Sequence, residues 1–286
     1  MVKARSAPLS AGKTTNSVMT AGVRGLVVGA LIALSFGTAS GEPATHRMPT
    51  ITVVYDNNPY GEGLETAWGF SCLVEGMGKT ILFDAGEDGG ILLANMGKLG
   101  IAPRMIDAVV ISHIHGDHGG GLNLLLRENR EMVTYLPASF PESFTRNVEK
   151  HGSRVVPVRG PVTIGEDVFS TGELGTMPRE QALVVRSGRG LVIVTGCAHP
   201  GIENVVRTAK ERFRGVILLV LGGFHLTGSS KGEIEVVIAG LKKLGVRHVA
   251  PCHCTGDAAR KLFREAYGEG FIDTGVGKIV ATEGLR

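Results

Sequence analysis

The stretch that most constrains this chain is Asp107 to Leu126, DAVVISHIHGDHGGGLNLLL. Its apolar run Ala108, Val109, Val110 and Ile111 is long enough for a buried strand and stops at Ser112. His113, His115, Asp117 and His118 follow within six residues, then three glycines, then Leu122, Leu124, Leu125 and Leu126, which open a helix. A polar loop between strand and helix sits at the carboxyl end of the strand, where open α/β layers bind ligands. Alternate positions of an extended loop carry His113 and His115 to one side, and imidazoles with a carboxylate suit zinc, iron or manganese. Asp117 and His118 do not easily join them on one ion, so the spacing predicts a second, adjacent divalent cation. The glycines are expected to let the backbone turn tightly.

Other metal-type side chains also stand just after apolar runs, so folding can bring them together. Val192 to Val194 lead into Thr195-Gly196-Cys197-Ala198-His199, and the run ending at Leu221 leads to His225. His253 follows Pro251-Cys252, and Asp84 closes Ile81-Leu82-Phe83.

The H-x-H-x-D-H pattern resembles the signature of the metallo-β-lactamase superfamily. TGCAHPGI at 195–202, LGGFHL at 221–226 and PCHCTG at 251–256 resemble its 7,8-dihydropterin-6-methyl-4-(β-D-ribofuranosyl)-aminobenzene-5′-phosphate synthase-like branch. The resemblance covers Thr50 to the C-terminus and implies an α/β fold, a four-layer αβ/βα sandwich of the metallo-β-lactamase type. It also implies two divalent metal ions, zinc first and iron or manganese as alternatives, with His113, His115, Asp117, His118 and His253 as ligands. Cys197 stands where a bridging aspartate is usual, so either Cys197 ligates or His199 does, His199 being preferred. A histidine usual between the central loop and Thr195 is missing, so either Glu173 or His199 supplies the third ligand or the first site is left undersaturated. Asp84 is expected to orient the histidine loop. His225 is a ligand, a donor or a substrate contact, and with Asp117 it is read as catalytic. The implied chemistry is hydrolysis: water deprotonated between two cations attacks a carbonyl or phosphorus.

The first forty residues differ in kind. Lys3, Arg5, Lys13 and Arg24 meet no acid before Glu42, and Gly25 to Phe36 is a twelve-residue apolar run followed by small residues. This reads as a signal peptide or N-terminal anchor over 1–40, too short for a stable membrane span, with one domain over 41–286 exported to the periplasm or beyond. The whole chain carries +3, and removing those four basic residues leaves −1. No basic footprint for nucleic acid remains, and a small-molecule substrate is expected. Four cysteines in 286 residues make no disulfide framework.

Two Gly-Lys-Thr triplets, 12–14 and 78–80, lack the earlier glycine of a phosphate loop. Gly228 to Gly232 satisfies G-x-S-x-G, but no Asp lies between Ser230 and His253 to complete a serine hydrolase. The function expected is an exported metallohydrolase acting on a small anionic ester or phosphate. The alternatives are a non-catalytic metal-binding or sensing protein on the same scaffold, the pterin-transfer synthase chemistry of the branch, and a β-lactamase.

Overall fold

A computed structural model describes residues 47–286. The segment read as a signal peptide lies outside the described residues.

The first half of the domain runs β1 (Thr50–Asp56), β2 (Phe70–Glu75), β3 (Ile81–Phe83), α1 (Gly89–Lys98), β4 (Ala108–Val110), α2 (Gly116–Gly119), α3 (Leu122–Glu128), β5 (Val133–Pro137), α4 (Glu142–Lys150) and β6 (Arg154–Val158). The second runs β7 (Val162–Gly165), β8 (Val168–Ser170), β9 (Leu183–Ser187), β10 (Gly190–Thr195), α5 (Ile202–Phe213), β11 (Ile217–Gly223), α6 (Lys231–Lys243), β12 (Val246–Cys252), α7 (Asp257–Tyr267) and β13 (Ile279–Ala281). One sheet has the order β13-β1-β2-β3-β4-β5-β6 and the other β12-β11-β10-β9-β8-β7.

Strand alternation explains the layering. Side chains of successive residues point to opposite faces, so β1 sends Ile51 and Val53 into a core shared with Leu183, Val192 and Leu219 of the other sheet. Its Val54 joins a separate cluster with Leu92, Leu122, Leu125 and Val148 of α1, α3 and α4. The second sheet likewise buries Val220 and Val249 under α5, α6 and α7. Helix, sheet, sheet, helix is the four-layer αβ/βα sandwich the sequence predicts.

Register places the site. β10, β11 and β12 are parallel, with Thr195 beside Gly222 and Gly223 beside Cys252. His199, His225 and His253 therefore leave neighbouring strand ends on the same edge. In the other sheet β3 and β4 are parallel with Phe83 beside Val110, which sets Asp84 next to the start of the histidine loop.

Three strands escape the sequence reading: β5, β7 and β13. β7 and β13 are only four and three residues long, too short for periodicity to speak, and β5 carries a proline at its end. The glycines after His118 also act differently from expectation. Gly120 has ordinary helical angles, φ −63 and ψ −38, so no unusual turn is required of it. Instead its backbone packs on the Glu87 carbonyl, and Gly121 packs on that of Ala85, where any Cβ would collide. Close approach, not turning, demands glycine there. Ser230 of the G-x-S-x-G match caps α6, accepting from Glu233 N in a capping box, which accounts for it as a helix start. Among the described residues no helix is long and apolar enough to cross a membrane.

Candidate metal centre

The strand ends bring the distant histidines together. The inward atoms of His113, His115 and His199 lie within 4.8 Å of one another, and so do those of Asp117, His118, Cys197 and His253. The rings of His113 and His118 are 4.2 Å apart between centroids, and those of His113 and His199 4.5 Å, so the two groups adjoin.

The outward nitrogens decide what the inward ones can do. His118 Nδ1 donates to Asp84 Oδ2 at 2.7 Å. Ser112 Oγ donates to the same Asp84 oxygen at 2.8 Å, so at 2.9 Å it accepts from His113 Nδ1. His199 Nδ1 donates to Glu180 Oε2 at 3.0 Å, and His253 Nδ1 to Asn57 Oδ1 at 3.0 Å. With each outer nitrogen protonated, each Nε2 presents a lone pair inward. His113 Nε2 then faces His115 Nδ1 at 3.1 Å, and the buried His253 Nε2 faces Asp117 Oδ2 at 3.3 Å. Imidazoles whose outer nitrogens are held as donors, gathered with a carboxylate and a thiol, make a donor set that fits divalent cations.

The electrostatics agree. Burial, and then the neighbouring imidazoles, push His113 down to about 2 and His118 down to about 4, so both rings stay neutral bases at physiological pH. Burial favours a neutral Asp117, but the His253 imidazole, with His118 beside it, outweighs it and holds the carboxyl below its ordinary range. Asp84 is pushed well up by burial, against the pull of Ser112.

The backbone is bent to serve this edge. Asp84, Ala198, His225 and His253 have φ of 58, 58, 53 and 47, left-handed values that side chains bearing a Cβ seldom adopt. Ala198, His225 and His253 follow the ends of three adjacent strands and Asp84 follows β3 of the other sheet, strain of a kind that gathers at functional sites.

Glu173 is not part of this centre. Its carboxylate accepts from Ser139 N at 2.6 Å and pairs with Arg179 at 3.2 Å, held by a neighbouring loop; His199 stands with His113 and His115 instead. Cys197 lies beside the second group, its Sγ 3.2 Å from His118 Nε2. His225 is exposed at the rim, its ring 4.5 Å from that of His199. Sequence reasoning missed Glu180, which is 1% exposed and accepts from Thr195 Oγ1, Cys197 N, Ala198 N, His199 N and His199 Nδ1. It also missed Ser112, Asn57 as a partner of His253, and Cys254.

A model of the metallo-beta-lactamase superfamily matches residues 69–231, more than half of the chain. The chain belongs to that superfamily. Its fold and its divalent-metal character are those of the metallo-beta-lactamases, as the H-x-H-x-D-H loop implies. The chain is 31% identical to the 7,8-dihydropterin-6-methyl-4-(beta-D-ribofuranosyl)-aminobenzene-5'-phosphate synthase of Methanocaldococcus jannaschii over 279 residues, covering 80% of this chain and 95% of that one. A solved metal-dependent hydrolase of the beta-lactamase superfamily aligns with a TM-score of 0.70 at 30% identity, covering 82% of this chain and 98% of its own. A metallo-beta-lactamase fold protein from Bacillus subtilis, at TM-score 0.61, 14% identity and coverage of 82% and 99%, shares the fold alone.

In this member of the metallo-beta-lactamase superfamily one carboxylate governs two rings, since Asp84 orients His118 directly and His113 through Ser112. Asp84→Asn tests this with little steric change, because Asn tolerates a left-handed backbone. Both rings are held through Oδ2, while Oδ1 accepts from Ser112 N at 2.6 Å, so an amide either turns its NH2 against both rings or strands that backbone N–H. Divalent-metal affinity is expected to fall roughly 10–100-fold. The single tryptophan, Trp68, lies 4.9 Å from the His253 ring and reports binding by its fluorescence. Equal titration curves for the two proteins would remove Asp84 from this role.

Proposed function

We propose that this chain is a metal-dependent hydrolase acting on a small anionic ester or phosphate. In this reading His113, His115 and His199 hold one divalent cation and Asp117, His118 and His253 a second, with Cys197 at the edge of the second group. The observation that carries it is the convergence of inward lone pairs around an Asp117 that stays ionised. Such cations, when bound, supply Lewis acidity and bring the pKa of water toward neutrality.

The chain's own residues do the rest. Asp117 Oδ2, 3.3 Å from His253 Nε2 and 16% exposed, reaches both the second group and solvent, and is placed to accept a hydrogen bond from the attacking water and aim it. His225, exposed beside His199, is placed to donate to the substrate's anionic group. Ile114, between two candidate ligands, forms part of the wall of a cavity of about 520 Å³ that Arg159 and Arg179 also line. Arg179 is already paired with Glu173 in that wall, so Arg159 is the guanidinium placed to meet an anion, and the volume suits a small molecule. The basic-then-apolar N-terminus supports export as part of the same reading.

Bis-p-nitrophenyl phosphate tests the proposal. Purified protein is expected to release nitrophenol, to stop on chelation and to recover when zinc or manganese is returned. A metal-replete protein that turns over neither this diester nor a carboxylic ester would sink the hydrolase reading. A second reading rests on the 31% relative, whose name is that of a synthase: the same centre would then make a bond. Formation of that relative's named product, with no ester hydrolysis, would favour it.

A further inference from the structure

Asp117, His118 and His253 give the second group three donors without Cys197, and the Cys197 thiol has other neighbours. The Sγ atoms of Cys197 and Cys254 and a ring nitrogen of His225 lie within 4.8 Å of one another. Two donors at about 2.0–2.3 Å from one tetrahedral ion stand roughly 3.3–3.8 Å apart, so a small adjustment of side chains closes the set. The local fold keeps room at this sulfur. Gly223 carries no Cβ, and one built there would come 2.6 Å from Cys254 Sγ.

The two cysteines of the PCHCTG stretch are sorted by the bend at His253, where φ is 47. Cys252 ends β12 and points into the core between the sheets, while Cys254 lies past the bend, against Cys197. Cys72 is likewise fully buried in that core, so only Cys197 and Cys254 are available to an ion entering from the rim. His225 supplies the opening, being exposed where both thiols are buried.

We propose that Cys197, His225 and Cys254 form a third cation position, selective for a thiophilic ion of the zinc type, and that the Cys197 sulfur bridges it to the group of Asp117, His118 and His253. Two sulfurs and one imidazole make a donor set that zinc and cadmium accept and manganese, which prefers oxygen, does not. The oxygen-bearing and all-nitrogen groups beside it discriminate less.

The test counts ions. Full-length protein, stripped by chelation and kept reduced with a phosphine, is loaded with cadmium alone or manganese alone, freed of excess, and measured by elemental analysis. Wild type is expected to hold one more equivalent of cadmium than of manganese. The extra equivalent should vanish in His225→Asn, which suits the left-handed backbone at an exposed position, and in Cys254→Ser. The near-ultraviolet absorbance of cadmium–thiolate bonds should fall by about two-thirds in Cys254→Ser, because of three such bonds only that from Cys197 to the neighbouring group remains. Equal cadmium and manganese in wild type overturns the proposal, as does an extra cadmium that survives in both variants. No turnover is read, so the result stands apart from the fate of the hydrolase reading.

Discussion

Asp117→Ala is expected to lower turnover of bis-p-nitrophenyl phosphate by about 10³-fold, the range seen when a positioned acid or base is removed, with the fold unchanged. Asp117 opens the four-residue helix α2, and its side-chain contacts are with His118 and His253, at 3.6 and 3.3 Å. Nothing in the hydrophobic clusters rests on it, so thermal unfolding and circular dichroism should match wild type. In the metal-free protein its loss takes a negative neighbour from His118, which burial keeps neutral, and from His253, whose affinity for a proton then falls back, so no buried charge is left unpaired. The carboxylate is held in its ionised form, so Asp117→Asn, of equal size but without the negative charge that holds a cation and polarises the water, should lose nearly as much activity as alanine. Full activity in Asp117→Asn would show that the side chain acts by shape alone and would remove it from the reaction.

What could be read from the sequence, and what could not, follows from where each side chain sits along the chain. His113, His115, Asp117 and His118 are polar side chains crowded behind an apolar strand, an arrangement costly to bury without a partner, so the loop declares itself. His199, His225 and His253 each follow an apolar run, and the parallel register of β10, β11 and β12 converts three remote positions into neighbours. Asp84 was legible for the same reason. Glu180 was not, because it comes from the loop before β9 and its work is done on backbone amides that no local pattern reveals. A signal did exist: Glu180-Gln181 abuts the apolar run Ala182 to Val185, and an acid and an amide entering a buried strand need partners inside. Gln181 finds them across the molecule, its N donating to the Ser112 carbonyl at 2.9 Å and its Nε2 to that of Ile111 at 2.8 Å. Glu173 was the wrong acid for want of that test. It stands in a loop where Arg179 and the Ser139 amide satisfy it locally.

Glu180 also makes the sharper of the two largest predictions. Its carboxylate collects five donors in a buried place, and burial alone would keep it neutral. The hydrogen bond from His199, with the amides of His199 and Ala198, reverses that and holds it ionised below the usual range. Glu180→Ala strands three backbone N–H groups, the Thr195 hydroxyl and the His199 ring, each buried donor costing roughly 1–3 kcal/mol when unsatisfied. Water entering the gap would recover part of this, so a loss of about 3–5 kcal/mol in urea unfolding is expected, a large share of the ~5–15 kcal/mol that holds a domain together. Glu180→Gln separates folding from function. Its carbonyl oxygen can still accept from Thr195, Cys197 and Ala198, but its amide then confronts the N–H and ring nitrogen of His199. The ring is driven to the other tautomer, with Nδ1 accepting and Nε2 carrying its proton toward His113 and His115. Glu180→Gln should therefore fold, keep a cation at Asp117, His118 and His253, and lose the one at His113, His115 and His199. Metal analysis after loading with manganese reads this as one equivalent in place of two. Two equivalents in a folded Glu180→Gln would show that His199 binds without the proton arrangement argued for it, and the lone-pair account of the whole centre would fall with it.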